Sequence, residues 1–232
     1  MKYAIIAAGE GSRLVEEGVK TPKPLVNING ETMIGRLIRI FTENNAESIS
    51  IIVNQEMTGV KEYLDAVSCP VPLNLVVKST PSSMHSFYEL RSFLKNGKFC
   101  LTTVDTMFRE DEFASYIQAF EADNRLDGLM AVTDYIDDEK PLYVSTRDDL
   151  SIDGFKDSYY EGARYISGGI YALTSPAINV LENTIEAGVS RMRNYQRALV
   201  ESGLILRAFP FGKIIDVDHA GDIPKAESFV KR

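Results

Sequence analysis

The sequence is poor in the residues that build disulfides, zinc sites and membrane spans. Its 232 residues include two cysteines, two histidines and no tryptophan. Cys69 and Cys100 do not form a CxxC pair and match no zinc pattern, so we expect free, buried thiols in a reducing compartment. The apolar runs fall far short of the ~18 residues that a spanning helix needs, and the residues after Lys2 lack the length and cleavage site of a signal peptide. These absences predict a cytoplasmic protein that has no membrane partner.

Positive charge is also scarce. Lys and Arg number 25 against 33 Asp and Glu, which gives a formal net charge of −8. An acidic surface repels the phosphate backbone, and no run of basic residues compensates for it, so we expect no nucleic-acid partner. The apolar fraction of 44% and the charged fraction of 25% are typical of a globular protein, and the chain is long enough to bury its own core.

Strand-like and helix-like segments alternate along residues 1–134. Short apolar, β-branched runs predict strands, and apolar residues at helical spacing predict the helices between them. Thr32 is a candidate N-cap for the first of these helices. Strands that are joined by helices predict right-handed βαβ units and an α/β fold with a mostly parallel sheet. The predicted strands are 2–8, 48–54, 73–78, 98–104 and 128–133, and the predicted helices are 32–44, 60–67, 82–94 and 111–122.

From about residue 135 the rhythm changes, since a polar loop at 137–141 is followed by short strands. The chain has no Gly/Ser-rich linker and no internal repeat, so we expect one domain over residues 1–232 and no additional C-terminal domain. In this part the predicted strands are 142–146, 151–155, 165–173, 204–211 and 213–217, and the predicted helices are 175–187, 190–202 and 223–231.

A glycine-rich segment, A-A-G-E-G-S-R-L at residues 7–14, follows the first predicted strand; we call it the glycine loop. Gly9 and Gly11 would let backbone N–H groups approach an anion closely, and Arg13 adds a fixed positive fork. Taken alone, the glycines are also typical of a tight strand-to-loop turn. The dinucleotide fingerprint G-x-G-x-x-G fails at Leu14, which argues against a hydride-transfer enzyme, and the P-loop fails because no Gly-Lys-Ser/Thr occurs.

The glycine loop is followed by T-P-K-P-L, beginning at Thr21, and this combination resembles the nucleotidyltransferases that make NDP-sugars and similar activated alcohols. These are the sugar-1-phosphate nucleotidyltransferases and short relatives such as phosphocholine cytidylyltransferases. The resemblance implies a three-layer α/β/α sandwich with a mostly parallel mixed sheet. It also implies a nucleotide-binding half, about residues 1–134, and an acceptor-binding half, about residues 135–232. The implied reaction moves an NMP from an NTP to a phosphorylated acceptor and releases pyrophosphate.

The same resemblance assigns roles to single residues. Arg13 would hold the triphosphate and Lys23 would contact the transferring or the acceptor phosphate, which makes these two the catalytic candidates. Ser82 and Ser83 fall where sugar-activating members carry a G-T-A-like turn beside the base; this chain lacks that turn, so the base of the NTP stays open. The nucleotide-binding candidates are Ala7, Ala8, Gly9, Gly11, Ser12, Arg13, Ser82 and Ser83.

The family also implies a divalent metal ion, Mg²⁺, with carboxylate ligands. Asp105 lies just after a predicted strand, at the edge of an α/β sheet where ligands bind. The second implied ligand comes from I-D-V-D-H-A-G-D, in which Asp216 and Asp218 would point to the same side of an extended segment. We favour Asp216, and we expect Asp222 to cap the closing helix.

The acceptor candidates lie in the second half of the chain. Gly168 and Gly169, in S-G-G-I-Y, resemble the family strand that lines the acceptor pocket, and Lys156 would reach the acceptor phosphate. A choline-type acceptor would need aromatic faces and a carboxylate; ordinary half-buried strand tyrosines are the alternative explanation of the tyrosines found here. The candidates are Tyr143, Tyr159, Tyr160 and Tyr165, with Asp153 or Glu161.

We therefore expect a Mg²⁺-dependent nucleotidyltransferase that uses an NTP and a sugar-1-phosphate or a similar small acceptor. Phosphocholine or another phospho-alcohol is the alternative acceptor. A non-catalytic protein of the same fold that binds a nucleotide or a sugar phosphate is the alternative of a different class. We expect His85 and His219 to be structural, and a homodimer is compatible with the sequence.

Overall fold

The computed structural model describes residues 1–137 and 139–230, along which strands and helices alternate. The strands are β1 (Lys2–Ala7), β2 (Asn27–Ile28), β3 (Glu31–Thr32), β4 (Ser48–Val53), β5 (Leu73–Val77), β6 (Lys98–Thr103), β7 (Thr106–Met107), β8 (Gly128–Thr133), β9 (Tyr143–Thr146), β10 (Ile152–Lys156), β11 (Tyr165–Thr174), β12 (Leu206–Phe211) and β13 (Ile215–Asp216). The helices are α1 (Ser12–Glu16), α2 (Met33–Glu43), α3 (Thr58–Ala66), α4 (Ser83–Leu94), α5 (Glu110–Ala122), α6 (Pro176–Glu186), α7 (Met192–Glu201) and α8 (Asp222–Phe229).

One mixed sheet runs through the molecule. Its long row has the order β5-β4-β1-β6-β11-β8-β12, and among the described strands of this row β11 alone runs antiparallel to the others. The β9–β10 hairpin pairs with the beginning of β11. The prediction of a mostly parallel sheet is confirmed. Because the carboxyl ends of β1, β4, β6 and β8 meet at one edge, the glycine loop after β1 and Asp105 after β6 come close together there.

Helices cover both faces of the sheet, which confirms the three-layer α/β/α sandwich. Side chains of β1 alternate between two buried clusters, with Tyr3 and Ile5 in one and Ala4 and Ile6 in the other. Helices α2, α3 and α5 pack into the first cluster, and helices α4, α6 and α7 pack into the second. The Thr32 hydroxyl accepts a hydrogen bond from the N–H of Gly35 at 3.1 Å, so Thr32 caps α2 as predicted.

The shortest elements were not predicted from the sequence. The glycine loop runs into α1, which has 5 residues, and a single 3₁₀ turn follows at Lys23–Leu25. Strands β2, β3 and β7 have two residues each, too few to show an apolar repeat. The strand expected at 213–217 is reduced to β13. Asp138 of the predicted polar loop and Lys231 of the predicted closing helix lie outside the described residues.

Both cysteines are free, as predicted. Cys100 is fully buried, as predicted, but the prediction of burial is wrong for Cys69, which is partly exposed because it lies in the loop between α3 and β5. Burial raises the pKa of the Cys100 thiol well above its ordinary value, so this thiol stays protonated and inert. Among the described residues, no helix combines the length and the apolar character needed to cross a membrane.

A bulge in β11 shapes the edge of the sheet beside the site. The register between β11 and β8 shifts at Gly168 and Gly169. Gly169 has a φ of 73°, a conformation that favours glycine. A Cβ on Gly168 would collide with Cδ1 of Ile214 and would lie 3.2 Å from the carbonyl oxygen of Ala131. Gly168 therefore lets the segment before β13 pack directly onto β11.

We expect Gly168→Ala to destabilise the protein by about 1–3 kcal/mol, because the added methyl group must displace Ile214 or the backbone of β8. Gly154→Ala in β10 is the matched control, since a Cβ there meets Ser145 Cβ at an ordinary 3.9 Å. That change should stay within about 0.5 kcal/mol. Urea denaturation followed by circular dichroism measures both, and equal stabilities would contradict the packing assigned to Gly168.

Candidate active site

The glycine loop leaves β1 at the carboxyl edge of the sheet and turns sharply. Gly11 has a φ of 64°, in the left-handed region that favours glycine. A Cβ on Gly11 would lie 2.9 Å from Cβ of Lys23. Gly11 therefore allows both the turn of the loop and the close packing of T-P-K-P-L against it. In that segment, Pro22 and Pro24 restrict the backbone on either side of Lys23.

Lys23 lies at the centre of the site. Its ammonium nitrogen Nζ is 2.5 Å from Oδ2 of Asp105 and 2.6 Å from Oδ1 of Asp218, and its side chain is 10% exposed. Burial by itself lowers the pKa of Lys23, but the charges and hydrogen bonds of the two carboxylates outweigh it, so the pKa lies above its ordinary value. Lys23 is thus a fixed positive charge at neutral pH.

A two-stranded ribbon brings distant carboxylates together. In the pairing of β7 with β13, Asp216 lies opposite Thr106, and the N–H of Val217 donates to the carbonyl oxygen of Asp105 at 3.1 Å. Asp105 lies two residues after the end of β6, so the ribbon fixes Asp216 to the carboxyl edge of the main sheet. The three metal candidates Asp105, Asp216 and Asp218 consequently share one edge.

Asp216 carries an unfavourable charge at this edge. The Asp216 residue as a whole is exposed, but protein atoms crowd its carboxyl group and desolvate it. That burial, together with repulsion by Asp105 and Asp218, raises the pKa of Asp216 to about 7, while the Thr106 hydrogen bond and the Lys23 charge oppose the rise. Asp216 is therefore the carboxylate that would gain most from an added cation.

The carboxylate oxygens at this edge could supply part of the coordination shell of a hard cation such as Mg²⁺. Within the described residues, no group of three or more His, Cys, Asp or Glu side chains is placed to hold a metal ion by itself. Mg²⁺, however, is usually bound by one or two carboxylates together with substrate phosphates and water. Oδ1 of Asp105 is buried and has no hydrogen-bond partner among the described residues. Asp105, through this oxygen, and Asp216 fit such a shell, whereas both oxygens of Asp218 are engaged, Oδ1 by Lys23 and Oδ2 by Arg13.

Arg13 lies at the rim of the site. Its side chain is 52% exposed, and its Nη1 atom is 3.3 Å from Oδ2 of Asp218. An exposed pair with a single contact contributes about 1 kcal/mol at most. The guanidinium is thus held weakly enough to turn towards an anion that enters the cleft.

A cavity of about 550 Å³ opens between the glycine loop and the start of α4. Ala7 is buried beneath it and does not line it. Asn54 also lines the cavity, although it was not expected from the sequence. It follows β4 directly, and this position at the carboxyl end of a parallel strand could have identified it as a site residue. The predicted residues that line the cavity are Ala8, Gly9, Gly11, Ser12, Lys23, Ser82, Ser83 and Asp105, and the further unexpected ones are Ser79, Thr80 and Ser86.

A second cavity, of about 220 Å³, lies next to Asp216 and Asp218. Gly168, an acceptor candidate, lines it, and so does Arg13, which was expected at the triphosphate. Gly169 lies beside Thr106, whose Oγ1 is 3.3 Å from the position that a Cβ on Gly169 would take. Polar and aromatic side chains after β8 complete its wall. These side chains are Tyr135, Asp137 and Glu139, and Lys225 of α8 joins them. None of the four was expected from the sequence. The position of the first three just after a parallel strand is the sequence feature that could have identified them.

The structure does not bring the other acceptor candidates to this cavity. Lys156 is exposed on β10, and its ammonium lies 4.0 Å from the centroid of the Tyr160 ring. Tyr143 and Tyr159 contact each other edge to face, and Tyr165 is buried. These side chains belong to the β9–β11 part of the sheet, so their role in acceptor binding stays a prediction.

Asp222 does not cap the closing helix, contrary to expectation. It is the first residue of α8, and Gly221 precedes it without a side-chain cap. Its carboxylate Oδ2 instead accepts the N–H of Asp218 at 3.2 Å and the N–H of His219 at 2.9 Å. The side chain turns back because these two amides belong to a loop that offers them no backbone acceptor in a helix or strand.

The profile of the MobA-like NTP transferase domain matches residues 3–155 of this chain. Among curated proteins, the bifunctional protein GlmU of Methanococcus maripaludis (strain C5) is 24% identical over 238 residues, which cover 98% of this chain and 54% of GlmU. The chain thus spans about half the length of the curated relatives it matches.

Solved structures share the fold over the whole chain. The inositol-1-phosphate CTP transferase from T. maritima has a TM-score of 0.79 at 18% identity, covering 100% of this chain and 98% of that one. The CTP:phosphocholine cytidylyltransferase from Streptococcus pneumoniae has a TM-score of 0.72 at 20% identity, covering 99% of both chains. At these identities the similarity shows the fold, which is the one that the sequence resemblance implied.

We expect Asp216→Asn to stabilise the metal-free protein at pH 8 by about 1 kcal/mol, a value reduced for solvent screening. The raised pKa means that the folded protein holds a proton that the unfolded chain releases, so stability falls as the pH rises from about 4 to about 7. The advantage of the variant should therefore grow between pH 5 and pH 8. Thermal unfolding in EDTA measures it.

Asp148→Asn removes the same charge from an exposed loop and serves as the control. Its stability relative to the wild type should not change with pH over this range. A pH-independent difference for Asp216→Asn as well would contradict the assigned repulsion.

Proposed function

Because the chain belongs to the MobA-like NTP transferase domain family, we propose that it is a nucleotidyltransferase that moves an NMP from an NTP to a small phosphorylated acceptor and releases pyrophosphate. The observation that carries the proposal is the position of Lys23. Its ammonium contacts Asp105, which lines the first cavity, and Asp218, which lines the second. A phosphoryl group passing between the two cavities would meet this charge.

The NTP would occupy the larger cavity. Residues 8–12 of the glycine loop line this cavity, and their backbone N–H groups would face the triphosphate. The exposed guanidinium of Arg13, which borders the smaller cavity, would turn towards the triphosphate from that side. Ser82 and Ser83 line the far end of the cavity, and their hydroxyl groups would hydrogen-bond the base.

Asp105 and Asp216 would hold Mg²⁺, for which their oxygen atoms fit. When bound, the ion supplies positive charge to the triphosphate oxygens and to the pyrophosphate that leaves. Its charge would also offset the repulsion that raises the pKa of Asp216.

The remaining chemistry requires placement and charge neutralisation. A phosphate acceptor is already ionised at neutral pH, so no proton has to be removed from the attacking oxygen. That oxygen attacks the α-phosphorus in line with the departing pyrophosphate. Lys23 would leave one of its carboxylates and bind the oxygens of the α-phosphate, where negative charge accumulates in the transition state.

The smaller cavity would hold the acceptor, for which a sugar-1-phosphate is the first candidate. A specific observation favours a cationic phospho-alcohol such as phosphocholine as the second. Tyr135, Asp137 and Glu139 line the cavity, and the ring of Tyr135 already has an ammonium, that of Lys213, 4.1 Å from its centroid. An aromatic face beside carboxylates attracts a quaternary ammonium group.

The test begins with thermal shifts of the purified protein with Mg²⁺ and, in turn, CTP, UTP, GTP, ATP and dTTP. A ligand at 100 times its Kd adds about 2.7 kcal/mol of stability, which is easily measured. The best nucleotide is then incubated with glucose-1-phosphate or phosphocholine, and pyrophosphate release is followed. Binding without release with any acceptor would favour a non-catalytic nucleotide-binding protein.

Lys23→Ala and Asp105→Asn should each lower kcat by on the order of 10², because each removes a preorganised charge from the transition state. Lys20→Ala is the control, since Lys20 is an exposed lysine of the segment before T-P-K-P-L; it should keep wild-type turnover. Pyrophosphate release measures the rates, and circular dichroism confirms folding. Wild-type turnover in either site variant would remove that residue from the mechanism.

Asp216→Asn should raise the Mg²⁺ concentration needed for half-maximal turnover by on the order of 10-fold or more. Asp218→Asn should raise it less, because Asp218 contacts Lys23 and Arg13. Mg²⁺ titrations of pyrophosphate release compare the two variants. The reverse order would assign the metal to Asp218.

A further inference from the structure

Glu17 connects two distant parts of the site. It follows α1 directly, and its Oε2 accepts the N–H of Ala220 at 2.6 Å. Its Oε1 lies 2.6 Å from Nδ1 of His219. Both partners belong to residues 216–222, which we call the acidic segment, so the helix that continues the glycine loop is attached to the segment that carries Asp216 and Asp218.

The acidic segment is held by carboxylates at three successive N–H groups. Asp222 accepts those of Asp218 and His219, and Glu17 accepts that of Ala220. The bonds from Asp222 stay within the segment and shape it. The contacts of Glu17 with Ala220 and His219 instead cross to the glycine-loop side, where they add to the contacts that Arg13 and Lys23 make with Asp218.

Helix α1 and the residue that follows it present two side chains to the acidic segment. Arg13 reaches the carboxylate of Asp218, and Glu17, four residues later, reaches the backbone of Ala220. If Arg13 turns to the triphosphate, its contact with Asp218 is lost while that of Glu17 remains. The glycine loop would then stay attached to the acidic segment while the substrate binds.

We propose that Glu17 is a positioning residue that keeps the glycine loop and the acidic segment in register, so that triphosphate and metal bind as a coupled pair. The inference rests on the proposed function. A metal ion held by Asp105 and Asp216 must also reach oxygens of a triphosphate that the glycine loop holds. Prior alignment of these two groups strengthens the binding of each ligand to the complex with the other.

The test measures this coupling directly and needs no turnover. Tripolyphosphate is the probe, because it carries the charges of the NTP and is independent of the base. Its Kd is measured by calorimetry with Mg²⁺ and, separately, with EDTA, for the wild type and for Glu17→Ala. The same two titrations of Glu16→Ala form the matched control, since Glu16 is an exposed carboxylate of the same helix.

In the wild type and in Glu16→Ala we expect Mg²⁺ to tighten tripolyphosphate binding by on the order of 10-fold or more. In Glu17→Ala this factor should fall at least about threefold, while Kd in EDTA changes less. A general loss of stability would weaken both titrations together and leave their ratio unchanged. That unchanged ratio would overturn the proposal.

Glu17→Gln keeps one acceptor oxygen and decides the question if Glu17→Ala does not fold. The factor by which Mg²⁺ tightens tripolyphosphate binding to Glu17→Gln should lie between the wild-type factor and no effect, and a wild-type factor would overturn the proposal. The proposed function fails separately. If neither tripolyphosphate nor any of the five nucleotides binds to the wild type, both conclusions fall. If the wild type binds them and Glu17→Ala keeps the full Mg²⁺ effect, the positioning role of Glu17 alone is overturned.

Discussion

Repulsion among Asp105, Asp216 and Asp218 at one edge of the sheet is the constraint around which the site is built. The ammonium of Lys23 contacts two of these carboxylates and is itself kept charged by them. Its approach is possible because Gly11 has no Cβ. Lys23 does not offset all of the repulsion, and the remaining repulsion, together with burial, raises the pKa of Asp216 to about 7. Such a balance is typical of a site that stores unfavourable electrostatic energy for the binding of a cation.

The charged residues of this edge border two cavities. Lys23 and Asp105 border the larger one, whereas Asp216, Asp218 and Arg13 border the smaller one. Two phosphate-bearing molecules would therefore approach the same carboxylates from opposite sides, each bringing negative charge to an edge that is already acidic. Cations must enter or move for this to be favourable, which is why the proposed chemistry relies on Lys23, Arg13 and a divalent ion rather than on a general base.

Long elements and short motifs could be predicted from the sequence. Helix α2 shows apolar residues at helical spacing, and strand β1 is a continuous apolar run. The glycine loop and Lys23 lie close enough along the chain to form one motif. Lys156, which was expected to reach the acceptor phosphate, does not line either cavity and lies beside the ring of Tyr160. Asn54 and Tyr135 were missed because their chemistry is unremarkable in isolation. They line cavities because parallel strands end beside them.

By itself, the sequence determined the alternation of strands and helices with a mostly parallel sheet, the turn of the glycine loop and the short spacing between that loop and T-P-K-P-L. These features depend on apolar periodicity and on short spacings along the chain, which a linear pattern carries. Only the tertiary structure decided that Lys23 contacts Asp218, 195 residues away, and that Glu17 accepts the N–H of Ala220, 203 residues away. Such contacts depend on the register of the β7–β13 ribbon against the main sheet, and a two-residue ribbon leaves no repeat from which its register could be predicted.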